Sequence, residues 1–416
     1  MVERRPPPWL FGIVGIPYGV GGSFVSAVMP YLADRAKFDL QTIGWFFALL
    51  FWPTVVQFLY APIVDVGMRR KHWFVVVSIA GAACFAAAIA TPIDTHRDQF
   101  LAFAFWGQLL TGLTGSCNGG LLALTMRDDQ RGKAAGWLNV GNLSGGAAAA
   151  WLTLYLLAND VDPALVGVIY AAMIVVPGLP ILFVDEPPLE RRSARAVFGD
   201  MWRGAREVLW NKQGLTGFAL CLSPVGTAAL AQFFPAFKTP FHATDQSVEI
   251  VSGPGAALLT ALGAGIGGWL CDAYSRRALY LASGVLTAIC GVAMALGGRS
   301  DTAFLWGALA YTLVMGFCFA AFTSVVLETI GTGGRAASTR YALFVAAGNF
   351  AIWYVGIADT RFGGTVRGAD GKDVPVVGDV IACDVVLNVI GVVVLAIAFW
   401  KLGSFVRRTR SRAEDR

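Results

Sequence analysis

Long apolar runs, separated by short polar breaks, cover almost the whole chain of 416 residues. Each run is about 20 residues long, the length that an α-helix needs to cross about 30 Å of hydrocarbon. None alternates polar and apolar positions as the strands of a membrane barrel do. The pattern therefore predicts an all-α membrane protein with twelve transmembrane helices. The runs, numbered here as spans 1 to 12, lie near residues 9–30, 42–63, 73–92, 100–126, 134–157, 164–184, 214–235, 248–271, 278–297, 302–330, 339–358 and 380–400.

The longest break follows span 6 and divides six spans from six. It contains Glu186-Pro187-Pro188, several Arg residues and an amphipathic stretch from Phe198 to Trp210. Polar breaks of this length are typical of domain boundaries. The expected division is a six-helix bundle over residues 1–184, a cytoplasmic linker over 185–213 and a second six-helix bundle over 214–416.

A short motif occurs once in each half. Asp65-Val66-Gly67-Met68-Arg69-Arg70 follows span 2, and Asp272-Ala273-Tyr274-Ser275-Arg276-Arg277 follows span 8. A second pair, Arg131-Gly132-Lys133 and Arg335-Ala336-Ala337, supports the same offset. Repeats about half a chain apart predict two pseudo-symmetric bundles. The alternative is a topology signal alone, because membrane proteins often place Arg pairs in tight cytoplasmic turns.

Composition and charge agree with a membrane location. Hydrophobic residues make up 56% of the chain and charged residues 14%, and the mean hydropathy is +0.61, which excludes an ordinary soluble domain. About three quarters of the 32 Lys and Arg residues fall on the side that carries the N-terminus, so the positive-inside rule places both termini in the cytoplasm. This distribution explains the net charge of +5 without a nucleic-acid partner.

The remaining chemistry-bearing residues indicate neither a metal site nor a cofactor. The seven Cys are scattered through apolar runs, and the three His lie in loops or at span edges. The sequence has no Walker-type Gly-Lys-Ser/Thr motif, so ATP is not implied. An embedded enzyme, the rival class, would place titratable residues together at one depth, and the sequence does not. We expect a monomer whose partners are membrane lipid and a small-molecule substrate. The same sequence features would also fit a membrane protein that senses a substrate without transporting it.

Twelve spans in two halves with a doubled Asp-x-x-x-Arg-Arg loop resemble the major facilitator superfamily. The stretches Asp39 to Gly44 with Pro53, Leu59 to Asp65, and Arg340 to Phe344 are similar to its muropeptide permease (AmpG-type) and acetyl-coenzyme A transporter branch. The resemblance implies a secondary active transporter of the bacterial inner membrane that takes up a muropeptide, a siderophore-like compound or another small polar metabolite by alternating access, with protons as the coupling ion. The alternative is an exporter or a facilitator. Span 4 departs from that branch, because its stretch Ser116 to Thr125 carries no acid.

In the doubled loops, the Asp ends one helix and the two Arg residues begin the next. A carboxylate and a guanidinium so placed can tie helix ends together and exchange partners when the halves rock, because charge-assisted hydrogen bonds near water are strong yet reversible. We therefore expect gating roles, and no substrate contact, for six residues. They are Asp65, Arg69, Arg70, Asp272, Arg276 and Arg277.

Intramembrane carboxylates are functional candidates, because an unpaired charge in hydrocarbon is costly. Within the predicted spans only Glu328 and Asp384 qualify by type. Span 10 lines the central cavity in the resembled family, so we expect Glu328 to couple protons, opposed by Arg340 or Arg335. Asp384, about one turn into span 12, is the second candidate; the alternative is a helix-start residue that reaches the interface.

Uncharged polar and aromatic residues cluster in the spans that the resemblance assigns to a central cavity. Such a lining suits a neutral, polyhydroxylated or mixed polar-aromatic substrate, whereas a multiply charged thioester would need deep basic partners. The alternative is hydrogen bonding from helix to helix, worth about 0.6 kcal/mol each. The candidates are Tyr18, Gln108, Asn118, Asn139, Asn142, Gln232, Ser324, Asn349, Trp353 and Tyr354.

Glycines in spans 5 and 8, among them Gly136, Gly265 and Gly268, lack the side chains that keep helices apart. We expect these two helices to approach closely and to pack the two halves against each other.

Overall fold

The computed structural model describes residues 6–38, 40–186, 193–210, 212–238, 240–330, 337–362, 365–367 and 373–414. Arg335, with the second copy of the Arg131 motif, lies outside these residues. The helices are Leu10–Ser23, Phe24–Val28 and Met29–Arg35 (span 1); Leu40–Val55, Gln57–Tyr60 and Ala61–Asp65 (span 2); Arg70–Ala90 (span 3); Arg97–Thr125 (span 4); Asp128–Gln130; Arg131–Asn139, Val140–Ser144 and Gly145–Ala158 (span 5); Pro163–Gly178 and Leu179–Phe183 (span 6); Ala194–Trp210 (the linker helix); Lys212–Cys221 and Ala229–Phe237 (span 7); Asp245–Ser252 and Pro254–Ala273 (span 8); Arg276–Leu296 (span 9); Asp301–Ile330 (span 10); Ala337–Phe362 (span 11); and Val377–Glu414 (span 12).

Within the described chain, ten helices are long and apolar enough to cross a membrane, and span 2, bent by 45°, makes an eleventh. Span 7 is the twelfth, and it fails the same test because its helix is broken between Cys221 and Ala229. The predicted helical architecture is confirmed with one addition. Strand β1 (Thr365–Arg367) pairs antiparallel with β2 (Asp373–Pro375) between spans 11 and 12.

The bend in span 2 follows from its sequence. Pro53 has no N–H to donate, so it interrupts the helical hydrogen-bond ladder, and Val56 leaves the helical conformation with φ −94° and ψ 10°. The carbonyl oxygen of Pro53 accepts a hydrogen bond from the Tyr60 hydroxyl at 2.9 Å. The polar backbone at the bend is thereby satisfied inside the bundle, as an apolar surrounding requires.

The apolar core is shared between the halves on one side only. We call the side where spans 2 and 8 end the latch side. There a single cluster joins spans 1 to 6 of the first half with spans 7, 10 and 11 of the second, and it includes Leu10, Leu122, Leu327 and Phe344. On the opposite side each half has its own cluster, one around Phe24 and one around Phe304. The two halves are therefore packed against each other on the latch side.

Spans 5 and 8 carry that packing across the halves. A Cβ atom placed on Gly136 would lie 2.9 Å from Cα of Gly268, closer than real Cβ atoms come. A Cβ atom on Gly132 would overlap the carboxylate of Asp272. Close approach through glycine is thus confirmed at these positions, whereas Gly265 has open space around it.

Candidate functional site

A cavity lies between the two halves, about midway along spans 1, 5 and 11. Its two adjoining compartments have volumes of about 40 and 100 Å³, below the roughly 300–1,000 Å³ usual for small-molecule sites. Of the described residues that line it, none carries a charge. Its walls combine amides, hydroxyls and aromatic rings with aliphatic side chains, among them Leu138, Val345 and Ile352. Both compartments are lined by Tyr18, Asn139, Asn142, Tyr341 and Val345.

Two buried amides form the wall on the first half. Gln57, directly after the bend in span 2, donates from Nε2 to the carbonyl of Gly112 at 2.7 Å and to Oγ of Ser116 at 2.9 Å. Asn118 donates from Nδ2 to the carbonyl of Val14 at 2.7 Å. The carbonyl oxygens of both amides have no hydrogen-bond partner among the described residues. They are acceptors available to a ligand that donates hydrogen bonds.

Two further amides connect the halves across the cavity. Asn139 on span 5 donates from Nδ2 to Oγ1 of Thr323 on span 10 at 2.8 Å. Asn349 on span 11 donates from Nδ2 to the carbonyl of Thr54 on span 2 at 3.3 Å, and it lies within hydrogen-bonding reach of Tyr18. A ligand that engaged these amides would therefore compete with contacts between the halves.

The break in span 7 forms part of the cavity wall. Gly226 and Ala228 have φ of +61° and +56°, which is left-handed backbone that cannot continue a helix. Side chains from four other spans satisfy the freed backbone groups. The contacts are Tyr354 Oη to the Leu222 carbonyl (2.9 Å), Tyr280 Oη to the Val225 carbonyl (2.8 Å), Cys318 Sγ to the Gly226 carbonyl (3.1 Å), and the Gly226 N–H to Asn388 Oδ1 (2.7 Å).

The Asp and the second Arg of the first copy of the doubled motif pair with each other, at the helix ends of the first half. Arg70 at the start of span 3 lies 2.7 Å from Oδ1 of Asp65 and 3.5 Å from Oε1 of Glu186, and all three side chains are buried. Glu186, just after span 6, also accepts the backbone N–H groups of Arg70 and Lys71 at 3.1 and 3.2 Å. This copy ties the ends of spans 2, 3 and 6, while Arg69 is exposed.

The second copy reaches across the halves. Asp272 at the end of span 8 accepts the backbone N–H groups of Gly132 and Lys133, at 2.7 and 3.0 Å, at the start of span 5. A carboxylate there also opposes the positive end of the helix dipole. Arg276 donates to the carbonyl of Cys271 at 3.4 Å, within its own half. Arg277 instead lies 3.3 Å from Glu328 at the end of span 10, and both side chains are about one third exposed.

Arg131 completes the contact between halves on the latch side. Its side chain is almost fully buried and donates to the carbonyl of Leu327 on span 10 at 3.1 Å and to that of Ala123 on span 4 at 3.2 Å. A buried guanidinium bound to two helix ends is a directional contact. Together with Asp272, it holds the start of span 5 against the second half.

A separate pair of acids lies inside the second half. Asp384 on span 12 is fully buried; its Oδ2 accepts from the Tyr311 hydroxyl at 3.2 Å and lies 3.4 Å from Nδ2 of Asn388. Asp359 on span 11 is also fully buried and is close enough to interact electrostatically with Asp384 and Tyr311. Oδ1 of Asp384 has no hydrogen-bond partner in the part of the chain that the structure covers, and the Cys383 thiol lies within hydrogen-bonding reach of Asp359.

Comparison with known proteins identifies the family. A family model described as Major Facilitator Superfamily matches residues 11–354, which is most of the chain. The chain belongs to the major facilitator superfamily. Its twelve helices therefore form two six-helix bundles, as the sequence predicted. Members of this superfamily are membrane transporters, which agrees with the expectation that the protein is an integral membrane protein and not an enzyme.

Several solved superfamily structures have the same fold at low sequence identity. The human organic anion transporter MFSD10 (TETRAN) is 15% identical, with a TM-score of 0.70 over 94% of this chain and 100% of that one. The E. coli fucose:proton symporter FucP is 14% identical, with a TM-score of 0.64 over 94% and 98%. The proton:xylose symporter XylE is 13% identical, with a TM-score of 0.67 over 93% of each chain. The chain matches no curated protein sequence.

The structure brings five of the ten predicted cavity residues together. Tyr18, Asn118, Asn139, Asn142 and Asn349 line the cavity. The other five do not: Gln108 and Ser324 are buried within their helix bundles, Gln232 is exposed, Trp353 packs on Phe350, and Tyr354 holds the span 7 break.

Two polar residues that bear on the site, Gln57 and Asp359, escaped the sequence analysis. Gln57 is a lone amide in an apolar run and could have been found by the polarity criterion applied to the other spans. Asp359 follows the predicted end of span 11 at residue 358, whereas the helix continues to Phe362. Asp384 was expected at the interface as an alternative, but burial excludes that placement. The structure pairs Glu328 with Arg277, while Arg335, one of its two predicted partners, lies outside the described residues.

Proposed function

We propose that this superfamily member is a secondary transporter that moves a small, neutral, polyhydroxylated metabolite through the central cavity by alternating access. The observation that carries the proposal is the uncharged lining of a cavity between two halves. Hydroxyl groups both donate and accept hydrogen bonds, so they match free acceptors such as the carbonyl oxygens of Gln57 and Asn118.

The lining favours some substrate classes over others. An organic anion, as in the name of MFSD10, would need a cationic partner, and the described cavity lining offers none. Sugars, as in the names of FucP and XylE, need no charge partner. The sugar part of a muropeptide and a neutral siderophore-like compound fit the same chemistry. The acetyl-coenzyme A thioester fits least, since it carries several negative charges.

Alternating access requires a latch that opens. We propose Asp272 and Arg131 as that latch, because their contacts join the two halves. The copy around Asp65 and Arg70 acts differently in this proposal. It keeps three helix ends of one half together, so that the half moves as a rigid unit.

The remaining assignments follow the sequence analysis. Uptake driven by protons is the proposed direction and coupling, with a monomer in the bacterial inner membrane and both termini in the cytoplasm. Residues 1–184 and 214–416 are the proposed moving halves, and residues 185–213, including the amphipathic linker helix, connect them. Trp202 and Trp210 on that helix are exposed, as aromatic residues at a lipid interface are.

Purified full-length protein tests the proposal in two steps. A thermal-shift screen with L-fucose, D-xylose, an anhydro-muropeptide, a ferric siderophore and acetyl-coenzyme A should select a neutral polyhydroxylated compound. Uptake of that labelled compound into proteoliposomes should then depend on a pH gradient and stop with a protonophore.

A matched pair of variants ties transport to the cavity. Asn142→Ala should weaken binding and uptake, because Asn142 lines both compartments. Asn159→Ala removes an exposed amide from a loop beyond span 5 and should change neither. Binding without uptake would favour a sensor, and uptake that ignores the pH gradient would favour a facilitator.

A further inference from the structure

We propose that Asp359 and Asp384 form a proton-binding site in the second half, connected to the cavity through Asn388 and the break in span 7. The inference deepens the proposed function, because it assigns the coupling role to residues outside the cavity. It replaces Glu328 as the preferred coupling site. Glu328 is partly exposed and already paired with Arg277, so proton exchange there is not tied to the cavity.

Burial without a cation is the first argument. Both carboxylates are fully buried, and no Lys, Arg or His in the described chain contacts either of them. Two negative charges in such a place would each lack solvation and would repel each other. Oδ1 of Asp384 has no hydrogen-bond partner among the described residues, and Asp359 has only the weak Cys383 thiol donor within reach. A proton on the pair removes one charge and supplies the missing donor.

The neighbouring groups favour a proton over a metal ion. Cys383 lies beside Asp359, and Tyr311 donates to Asp384, but no group of three metal-ligating residues occurs in the described chain. The described cations on the helices packed around the pair, Arg276 and Arg277 on span 9 and Arg340 on span 11, lie at their latch-side ends, and Arg299 in the turn before span 10 lies against Gly378 on span 12. Toward the pair, the described titratable groups on the same helices are not cationic. They are Tyr280 and Cys290 on span 9, Cys318 on span 10, Tyr354 on span 11 and the exposed Asp379 on span 12.

A chain of hydrogen bonds joins Asp384 of this pair to the cavity. Tyr311 donates to Oδ2 of Asp384, and Nδ2 of Asn388 lies 3.4 Å from the same oxygen. Oδ1 of Asn388 accepts the N–H of Gly226 at 2.7 Å, and Gly226 lines the larger compartment. Loss of the proton places a second charge on the pair, which pushes spans 11 and 12 apart. Asn388 then shifts, and the wall formed by the break shifts with it.

Infrared spectroscopy tests the site without a substrate. The sample is full-length protein in vesicles of phosphatidylethanolamine and phosphatidylglycerol, titrated with acid and base in choline chloride. The parent protein should absorb as a protonated carboxyl group at neutral pH, and the double variant Asp359→Asn, Asp384→Asn should lose that band. Asp379→Asn, on the same helix but exposed, should keep it. A band that persists in the double variant overturns the proposal.

One further variant and one change of salt distinguish the remaining explanations of the infrared result. If the Asn variants do not fold, Asp384→Glu retains a carboxyl group and should keep the band with a shifted pH midpoint; an unshifted midpoint overturns the proposal. If NaCl in place of choline chloride removes the band at constant pH, the site binds Na⁺ and the proton assignment is wrong. Because no arm measures transport, these outcomes are independent of the substrate screen.

The link to the cavity has its own measurement. A thiol introduced by Ser223→Cys in the break reports its exposure through its rate of maleimide labelling, read by peptide mass spectrometry. The ratio of labelling rates at acidic and neutral pH should differ between the parent and the Asp384→Asn background. The titration of the thiol itself is the same in both proteins, so it does not contribute to that difference. Asn388→Ala should abolish that difference. Equal ratios in all backgrounds would separate the acid pair from the cavity and refute the connection.

Discussion

Removing the carboxylate of Asp272 should release the start of span 5 from the second half. Asp272 accepts two backbone N–H groups, from Gly132 and Lys133. Hydrogen bonds to a charged group contribute about 1.5–3 kcal/mol each, and because this carboxylate is only partly buried we take the lower part of that range. Asp272→Ala should therefore favour the open latch by about 3 kcal/mol, twice the low end of that range, which is roughly 150-fold in the equilibrium constant. Asp272→Asn, which keeps one carbonyl acceptor, should shift the latch equilibrium by a smaller factor.

Hydrogen-deuterium exchange measures this directly. The peptide that begins span 5 should exchange faster in Asp272→Ala by the same factor, because exchange follows the population of the open state. Asp301→Ala is the matched control. Asp301 also accepts a backbone N–H, that of Thr244 at 2.7 Å, but within the second half on the opposite side. Unchanged protection of Gly132 and Lys133 in Asp272→Ala, or equal acceleration in Asp301→Ala, would refute the latch.

Three further changes test other parts of the structure. Asp65→Asn should destabilise the protein by up to about 3 kcal/mol in unfolding titrations, since it removes the closer of the two carboxylates beside the buried Arg70 and leaves Glu186 at 3.5 Å; a loss below about 1 kcal/mol would contradict a structural role. Gly226→Ala should lower the melting temperature strongly, because its φ is +61° and its Cβ would overlap Cys318 Sγ, and Cys318→Ala should recover only part; a wild-type melting temperature would be the contrary result. Glu328→Gln should cost less than about 1 kcal/mol and leave proton-driven uptake intact, because its pair with Arg277 is partly exposed; lost coupling would return the role to Glu328.

The spans were predictable because the requirement on them is local. A segment in hydrocarbon must be apolar and must satisfy its own backbone, so length and composition suffice. The break in span 7 escaped prediction because its backbone is satisfied by side chains from spans 9 to 12. Pro224 and Gly226 were the only local signal, and both residues also occur inside unbroken membrane helices.

The contacts of the doubled motif could not be predicted from its sequence. Both copies have the same Asp-to-Arg spacing, yet one pairs internally and the other reaches the opposite half. The difference lies in what surrounds them. Glu186 follows the end of span 6 and completes the first copy, whereas span 12 continues as helix to Glu414. Partners of this kind depend on the tertiary structure, and spacing along the chain does not specify them.

The burial of Arg131 has a consequence for how the protein is made. Its acceptor on Leu327 lies 196 residues further along the chain. At a synthesis rate of roughly 5–20 residues per second, this partner follows by about 10–40 s. The charges around Asp65, in contrast, are complete once Glu186 has emerged. The first half can therefore form the contacts around Asp65 and the bond from Arg131 to Ala123 as it is made, whereas the bond from Arg131 to Leu327 forms only after most of the second half has been synthesised.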